Sequence, residues 1–249
     1  MSREPAPSLI RHALVPLSLV VCFSLVYLAG SPIIVAVIVG GALLALYLAA
    51  PTIGRRSLAA FDREAVRRLA QHRPDTLGSL YARAWGMRLF ASPARVAERR
   101  GLAAAQAGDH TGARAAYDEA VALYPEGEAP LAVIVGAAHA AYALGQDESA
   151  IDLYGQVLAR EPSFPKVARR LAHALARSGE RLDRAEQLVE RALSEAGDGA
   201  DPELLLIAAR VSAARGGRRQ AKRLLRRAEG LAGSSEALLE EVRAHLLRR

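Results

Sequence analysis

The sequence predicts an all-α protein, in which an N-terminal transmembrane helical hairpin is followed by an α-solenoid of stacked helix pairs. Three observations lead to this fold. Residues 13–54 carry no charged side chain, a helical pattern recurs roughly every 36 residues beyond residue 100, and aromatic residues make up 5% of a chain rich in Ala and Leu. Fixed self-similarity at such a period is the signature of stacked supersecondary units.

The charge-free region falls into two apolar runs, residues 13–29 and 33–50, separated by a turn at residues 30–32. Each run has about 18 residues, the lower end of the length that crosses a hydrocarbon core of ~30 Å. Two antiparallel membrane helices are therefore expected. The alternatives are a signal peptide followed by a single anchor, which would put the rest of the chain outside, and a buried soluble hairpin. Residues 27–29 fit a cleavage site badly, and the uncharged stretch exceeds the need of a small domain.

The placement of arginine predicts the orientation of the hairpin. Its turn has no arginine or lysine, whereas arginines flank both of its ends: Arg3, Arg11, Arg55 and Arg56. Loops rich in positive charge stay on the cytoplasmic side of a membrane. We therefore expect a bacterial-type inner membrane protein whose residues 1–12, C-terminus and helix pairs all lie in the cytoplasm.

A basic helical connector is expected over residues 55–92. Apolar residues at helical spacing predict one helix over residues 57–71 and a second over residues 76–90, which includes Trp85. This pair is either a degenerate repeat whose aromatic residues cover the end of the core, or an element at the membrane surface. Juxtamembrane arginine attracts anionic headgroups by ~1 kcal/mol per charge, so both interpretations can hold together.

The helical repeat is clearest in two copies that share one spacing. In both, five residues lead from Gly to Ala, four from Ala to Tyr and eight from Tyr to Pro. Gly suits the left-handed turn that ends a helix, Ala lets two helices cross closely, and proline stops the second helix. A third copy has one extra residue in its turn and lacks the proline. The copies are Gly108, Ala113, Tyr117 and Pro125; Gly145, Ala150, Tyr154 and Pro162; Gly179, Ala185, Val189 and Ala192; and Gly216, Ala221, Leu225 and Ala228.

This register predicts about four helix pairs within residues 93–233. The expected helices are 94–107 and 111–123, 130–144 and 147–160, 165–178 and 182–195, and 202–215 and 217–230. A last helix within residues 234–249 is expected to cap the array. Its Leu238, Leu239, Val242 and Leu246 should pack inward, and its Glu240, Glu241, Arg243 and Arg248 should face water.

These residues resemble the tetratricopeptide repeat (TPR) family, whose helix-turn-helix motif carries A-x3-F/Y…P in its second half. The start of the motif is kept only by small residues, Gly101, Ala138, Ala172 and Ala209. The resemblance implies a scaffold or adaptor that binds protein or peptide partners and performs no catalysis. The alternative is a structural subunit of a membrane complex, with its TPR surface permanently occupied. Two membrane helices followed by TPRs also resemble the HemY group, from which we carry over the architecture and no haem-related role.

The TPR resemblance places a partner-binding groove on the first helix of each repeat. Repeat three presents a cationic strip there, which favours an acidic or extended peptide. Lys166 and Arg170 have the Lys-x3-Arg spacing of chaperone-binding TPR domains, but Glu98 and Leu102 replace the Lys-x3-Asn pair that those domains also use, so a chaperone tail is not expected. The groove positions are Arg95, Glu98, Leu102, Val135, His139, Tyr142, Lys166, Arg169, Arg170, His173, Arg177, Glu203, Leu206 and Arg210.

Charge is distributed unevenly along the chain, whose formal net charge is +7. Residues 55–108 and 166–249 are basic, and residues 109–165 are acidic. A second basic group forms a surface patch that suits anionic lipid, RNA or an acidic partner, although a solvated helix face is the commoner explanation. No aromatic residue interleaves it, so nucleic acid is not an expected partner. The patch comprises Arg218, Arg219, Lys222, Arg223, Arg226 and Arg227.

The sequence offers no pattern that indicates catalysis, a cofactor or a metal. Its six histidines lack zinc-ligand spacing, and the single cysteine, Cys22, lies in the predicted membrane region. There is no phosphate-binding loop, no dinucleotide fingerprint after a strand and no nucleophile elbow. We therefore expect a non-enzymatic protein without a cofactor.

Overall fold

The computed structural model describes residue 20, residues 32–231 and residues 235–247. Every regular element within these residues is a helix, which confirms the all-α class. The first predicted membrane run lies almost entirely outside the described residues. The chain divides into two compact units, residues 1–136 and 137–249.

The first unit begins with α1 (Pro32–Ala70), a continuous helix of 39 residues that contains Pro51. The predicted separate helix over residues 57–71 is therefore wrong as a separate element. Proline removes only one N–H from the helical ladder, and the residues on either side of Pro51 stay helical. In the part of the chain that the structure describes, only the stretch Val37–Ala70 is long and apolar enough to cross a membrane.

The connector forms two short helices, α2 (Leu77–Arg83) and α3 (Trp85–Phe90), separated by Ala84 with φ −80° and ψ 50°. The prediction of one helix over residues 76–90 is therefore wrong. The break turns Met87 into the core, whereas Trp85 is 65% exposed, so Trp85 does not cover the core as expected. The core of this region consists of Phe61, Ala65, Leu77, Met87, Ala91 and Ala103.

The remaining helices follow the predicted order. The first unit holds α4 (Pro93–Gln106), α5 (His110–Leu123) and the start of α6 (Leu131–Ala143). The division between the units falls inside α6. The second unit continues with α7 (Asp147–Arg160), α8 (Pro165–Ser178), α9 (Leu182–Ala196), α10 (Pro202–Ala214), α11 (Arg218–Glu229) and α12 (Glu236–Leu247).

The structure confirms the turns and the close helix crossings that the repeat spacing predicts. Its four turn glycines all have left-handed backbone, with φ of 79°, 72°, 76° and 88° in chain order. The alanines that follow, at positions 113, 150, 185 and 221, are each 0% exposed. Glycine is therefore needed at the turns, and alanine stands where the two helices of a pair meet.

The C-terminal helix α12 packs mainly against α10. Val242 is fully buried, and Leu238, Leu239 and Leu246 pack against the same cluster, as predicted. Glu240 is exposed, whereas Glu241 is half-buried and faces α8 and α10. The expectation that Glu241 faces water is therefore wrong. Arg248 lies outside the described residues.

Candidate partner-binding surface

The groove positions of the first unit are held by ion pairs within the chain. The Glu98 side chain is buried and lies 3.1 Å from Arg95 and 2.6 Å from Arg99. Arg99 in turn donates two hydrogen bonds to Asp62 of α1, of 2.6 and 2.9 Å. The nearby carboxylates, above all Asp62, hold the pKa of Arg99 above its ordinary value, although burial acts in the opposite direction. Glu98 is thus held by two arginines of α4, Arg99 joins α4 to α1, and Glu98 is not a free ligand for a partner.

Two apolar groove positions of the first unit differ in their surroundings. Leu102 is partly buried and packs against the core around Phe61 and Met87, so its expected place in an open groove is wrong. Val135 on α6 is half-buried.

Three groove positions of the second unit, together with Tyr154, form a chain of four aromatic side chains, which we term the aromatic ladder. His139 of α6 and Tyr154 of α7 are joined by a hydrogen bond of 2.6 Å between Nδ1 and the hydroxyl. Tyr142 of α6 and His173 of α8 are joined in the same way, at 2.5 Å. The rings of Tyr142 and Tyr154 meet edge-on with centroids 6.4 Å apart. The ladder therefore links three helices through polar contacts.

Burial shifts the acid–base properties of the aromatic ladder. It lowers the pKa of His139 to about 4, and the charge of Arg170 acts in the same direction. Burial also raises the pKa of Tyr154 and of Tyr142 above their ordinary value. His139 is therefore neutral near pH 7, so the ladder adds no charge of its own at that position.

Two arginines of α8 stack on the ladder at Tyr142. The guanidinium of Arg177 lies 4.5 Å from the ring centroid and that of Arg170 lies 5.4 Å from it, both within the range of a cation–π interaction. Arg177 also donates to Asp147 Oδ1 at 3.0 Å and to the Tyr142 carbonyl at 3.1 Å. Arg177 is thus engaged by α6 and α7, while Arg170 and Tyr142 remain half-buried.

The C-terminal helix covers the groove positions at the other end of the ladder. Glu241 Oε1 lies 3.3 Å from His173 Nε2 and 3.4 Å from Arg210 Nε. Burial acts to raise the pKa of Glu241, but His173 and Arg210 hold it below its ordinary value. His173 is 1% exposed, Arg210 is 7% exposed and Leu206 is fully buried. Other parts of the chain therefore bury these three side chains, and a partner cannot contact them.

The cations of the predicted strip in repeat three therefore differ in whether the chain itself pairs with them. Arg169 forms an ion pair with Asp201, whose side chain also caps α10 by accepting from the Leu204 N–H at 2.8 Å. Lys166 is exposed, as is the groove residue Glu203 of α10. Lys166 and Arg170 lie four residues apart on α8, and Arg170 stacks on Tyr142 and interacts with the Tyr154 hydroxyl, so these two cations lie beside the aromatic ladder and Lys166 is the exposed one.

The second basic group lies on α11, away from the groove positions. Its buried stripe is Ala221, Leu225 and Ala228, as the sequence predicts. All six cationic residues of the patch, between Arg218 and Arg227, are exposed. The preceding Arg215 pairs with Asp183 and lies 3.1 Å from Glu186, so it belongs to the contact with α9.

Three residues that contact the groove positions are not groove positions themselves: Tyr154, Asp147 and Glu241. The sequence pattern does not predict these contacts. The repeat spacing identifies Tyr154 only as the aromatic residue of copy two, Asp147 stands at the first position of α7, and the helical periodicity of residues 234–249 places Glu241 in solvent. The only available signal was the pair His139 and Tyr142, one helical turn apart, which places two polar rings on one face.

Comparisons with known proteins agree with this fold. Two tetratricopeptide-repeat family models match, over residues 98–127 and 145–211. The search of curated proteins gives no significant match. Among solved structures, PilW, a widely conserved type IV pilus biogenesis factor, has a TM-score of 0.58 at 17% identity, covering 94% of this chain and 99% of its own.

Two further solved structures have the same likeness. YrrB, a TPR protein with an unusual peptide-binding site, has a TM-score of 0.55 at 15% identity, covering 74% of this chain and 90% of its own. A thermophilic TPR protein from Thermus thermophilus has a TM-score of 0.53 at 19% identity, covering 78% and 99%. At such identities the likeness concerns the fold alone. The two family matches and the four copies of one register show that the repeat region of this chain is of the tetratricopeptide-repeat family.

Proposed function

We propose that this protein is a membrane-anchored TPR scaffold that holds protein partners near a bacterial-type inner membrane, with its repeats on the cytoplasmic side. Its family supports a role in protein interaction and gives no support to catalysis. The apolar part of α1 supports the anchor, because its exposed Val37, Ile38, Leu44 and Leu48 would otherwise face water. The arginines that flank the predicted hairpin support the cytoplasmic orientation.

The observation that carries the partner-binding site is the arrangement of Lys166, Arg170 and Tyr142. The two cations lie one helical turn apart on α8, and Arg170 stacks on the Tyr142 ring. Such a surface can pair with carboxylates of a partner and at the same time cover an apolar side chain. We therefore assign an acidic peptide segment to this surface. His139 is neutral and would contribute shape and hydrogen bonding.

The test is a crosslinking pull-down from membranes with the double variant Lys166→Glu and Arg170→Glu. These two residues are preferable to Arg169, whose replacement would leave Asp201 without its ion pair. The matched control is Arg219→Glu with Arg223→Glu, which makes the same change of charge on the exposed face of α11. Circular dichroism confirms that both variants keep their helices.

The proposal predicts loss of the crosslinked partner in the α8 variant and retention in the α11 control. Equal loss in both variants would mean that net charge alone drives the association. Retention in both would exclude this surface as the binding site. The stoichiometry after detergent extraction separates an adaptor from a permanent subunit, because a subunit keeps an equimolar partner and an adaptor comes out mainly alone.

A further inference from the structure

The short helix α3 carries the most exposed aromatic side chain of the described residues. Trp85 is 65% exposed and Leu89 is 42% exposed, and they lie four residues apart on one face. Arg88, between them in sequence, is also exposed. A soluble helix seldom presents a tryptophan and a leucine together to water, because about 25 cal/mol is lost for each Å² of apolar surface left exposed.

The packing of α3 fixes its level along α1. A Cβ at Gly54 would lie 2.4 Å from the Phe90 carbonyl oxygen, so the backbones of the two helices are in direct contact there. A Cβ at Gly86 would lie 3.5 Å from the Ser57 side chain and 4.0 Å from that of Ile53, an ordinary packing distance. This is the point at which the uncharged run of α1 ends and Arg55 and Arg56 begin.

The side chains around α3 have the composition of a membrane–water boundary. Exposed apolar residues continue along α1 from Val37 to Leu48, and exposed arginines follow at positions 55 and 56 of α1 and at positions 83 and 88 of the connector. Residues 55–92 contain eight arginines against three acids. Tryptophan is enriched at the headgroup level, and arginine at that level attracts anionic lipid.

We infer that α3 lies in the headgroup region of the same bilayer that holds α1, with Trp85 and Leu89 in the acyl boundary and the surrounding arginines on anionic headgroups. This inference rests on the proposed membrane anchor. It adds a second contact, which would fix the tilt and rotation of the first unit on the membrane surface. The exposed face of α3 is thus a lipid contact and not a docking site for a protein.

Trp85 is the only tryptophan of the chain, so its fluorescence reports on this contact directly. The full chain is reconstituted into vesicles of phosphatidylethanolamine and phosphatidylglycerol. Quenching is then measured with lipids brominated near the glycerol end of the acyl chain and with aqueous acrylamide. The matched control is Trp85→Phe with Phe164→Trp, which moves the reporter to a 39% exposed position in the second unit.

We expect brominated lipid to quench Trp85 strongly, and acrylamide to quench it severalfold less than it quenches the relocated tryptophan. Arg83→Glu with Arg88→Glu should raise acrylamide quenching of Trp85, since each lost arginine contact corresponds to about a fivefold weaker association with anionic lipid, or ~1 kcal/mol. Unchanged quenching in this variant would overturn the role of the arginines.

Flotation of the same vesicles distinguishes the ways in which the inference can fail. A chain that does not float with the vesicles contradicts the membrane anchor, and the lipid contact of α3 with it. A chain that floats while acrylamide quenches Trp85 as readily as the relocated tryptophan contradicts the lipid contact alone. Protection from acrylamide without quenching by brominated lipid would show that protein, not lipid, covers Trp85.

Discussion

Tyr117 and Tyr154 occupy the same place in successive copies of the repeat, yet their surroundings differ. Tyr117, in the first unit, packs against two glycines: a Cβ at Gly101 would lie 3.0 Å from its ring, and a Cβ at Gly136 would lie 2.4 Å from its Cζ. Tyr154, in the second unit, is fully buried and shares a 2.6 Å hydrogen bond with His139.

This difference shows how one register supports two kinds of core. The spacing from Gly to Ala to Tyr determines where the aromatic residue lies, and both copies obey it. The residues of the neighbouring first helices decide what the aromatic residue meets. Glycine there lets the ring of Tyr117 pack closely, with Glu98 and Arg99 as its charged neighbours, whereas histidine and tyrosine give Tyr154 a network of side-chain hydrogen bonds that extends to Arg177 and Glu241.

The largest expected effect comes from Gly136→Ala. Because the new methyl group would overlap the Tyr117 ring, we expect a loss of about 1–3 kcal/mol in the free energy of unfolding, typical of an overpacked core. The matched control is Gly155→Ala in α7, where nothing lies within 4 Å of the added Cβ. This change should stabilise the helix by up to about 1 kcal/mol. Denaturant unfolding followed by circular dichroism measures both, and a similar sign for the two variants would contradict the contact.

The second prediction concerns pH and belongs to the aromatic ladder. The pKa of His139 is lowered from 6.5 to about 4, so as pH falls the unfolded chain takes up the proton before the folded chain does. Stability should therefore be lost progressively between these values, by about 2 kcal/mol when its partial exposure is allowed for.

Urea unfolding at a series of pH values measures this loss. His139→Asn, which keeps a side-chain group able to meet the Tyr154 hydroxyl, should flatten the profile over the same range. A profile that keeps its slope in this variant would assign the titration to another group.

Tyr154→Phe should cost about 1–2 kcal/mol, because it removes the hydroxyl and leaves the Nδ1 of His139 without this partner in a buried site. Tyr117→Phe is the matched control, since the Tyr117 ring is held by contacts with glycine backbone. We expect less than half the loss there. Equal losses in thermal or denaturant unfolding would mean that the two sites are chemically alike after all.

The smallest expected effect is that of Glu241→Gln. The change removes the negative charge between His173 and Arg210, and because this site is partly exposed we expect a loss of about 1 kcal/mol. Glu240→Gln, at the exposed neighbouring position, should stay within about 0.5 kcal/mol of the parent. Faster hydrogen exchange in α12 of the Glu241 variant alone would confirm that this carboxylate holds the C-terminal helix in place.

The helix pairs could be predicted from the sequence because their signals are local. The turns need positive φ and the helix crossings need a small residue. The residue types and spacing of Gly108 and Ala113 therefore predict a turn and a helix crossing. The same holds for the buried stripe of α11, where Ala221 and Leu225 alternate with cations at helical periodicity.

Other features depend on contacts that no local pattern encodes. The break at Ala84 accompanies the burial of Met87, and Gly86 beside it is the only residue nearby that weakens a helix. Glu241 contacts His173 and Arg210 because of the way α12 packs on α10. The periodicity of α12 alone does not reveal this packing and places Glu241 in solvent. The fusion of the second apolar run with the following helix is another such feature, because Pro51 lies inside α1 and does not end it.

The unbroken course of α1 has a mechanical consequence. This helix continues from its apolar stretch to Phe61 and Ala65 of the packed core with no break in its helical assignment. At 1.5 Å per residue, the helical segment of about ten residues between Pro51 and Phe61 is about 15 Å long. If α1 anchors the protein in a membrane as proposed, this continuous helix would limit how far the first unit can tilt away from the bilayer. The core around Phe61 would then stay at a nearly constant distance from the lipid surface.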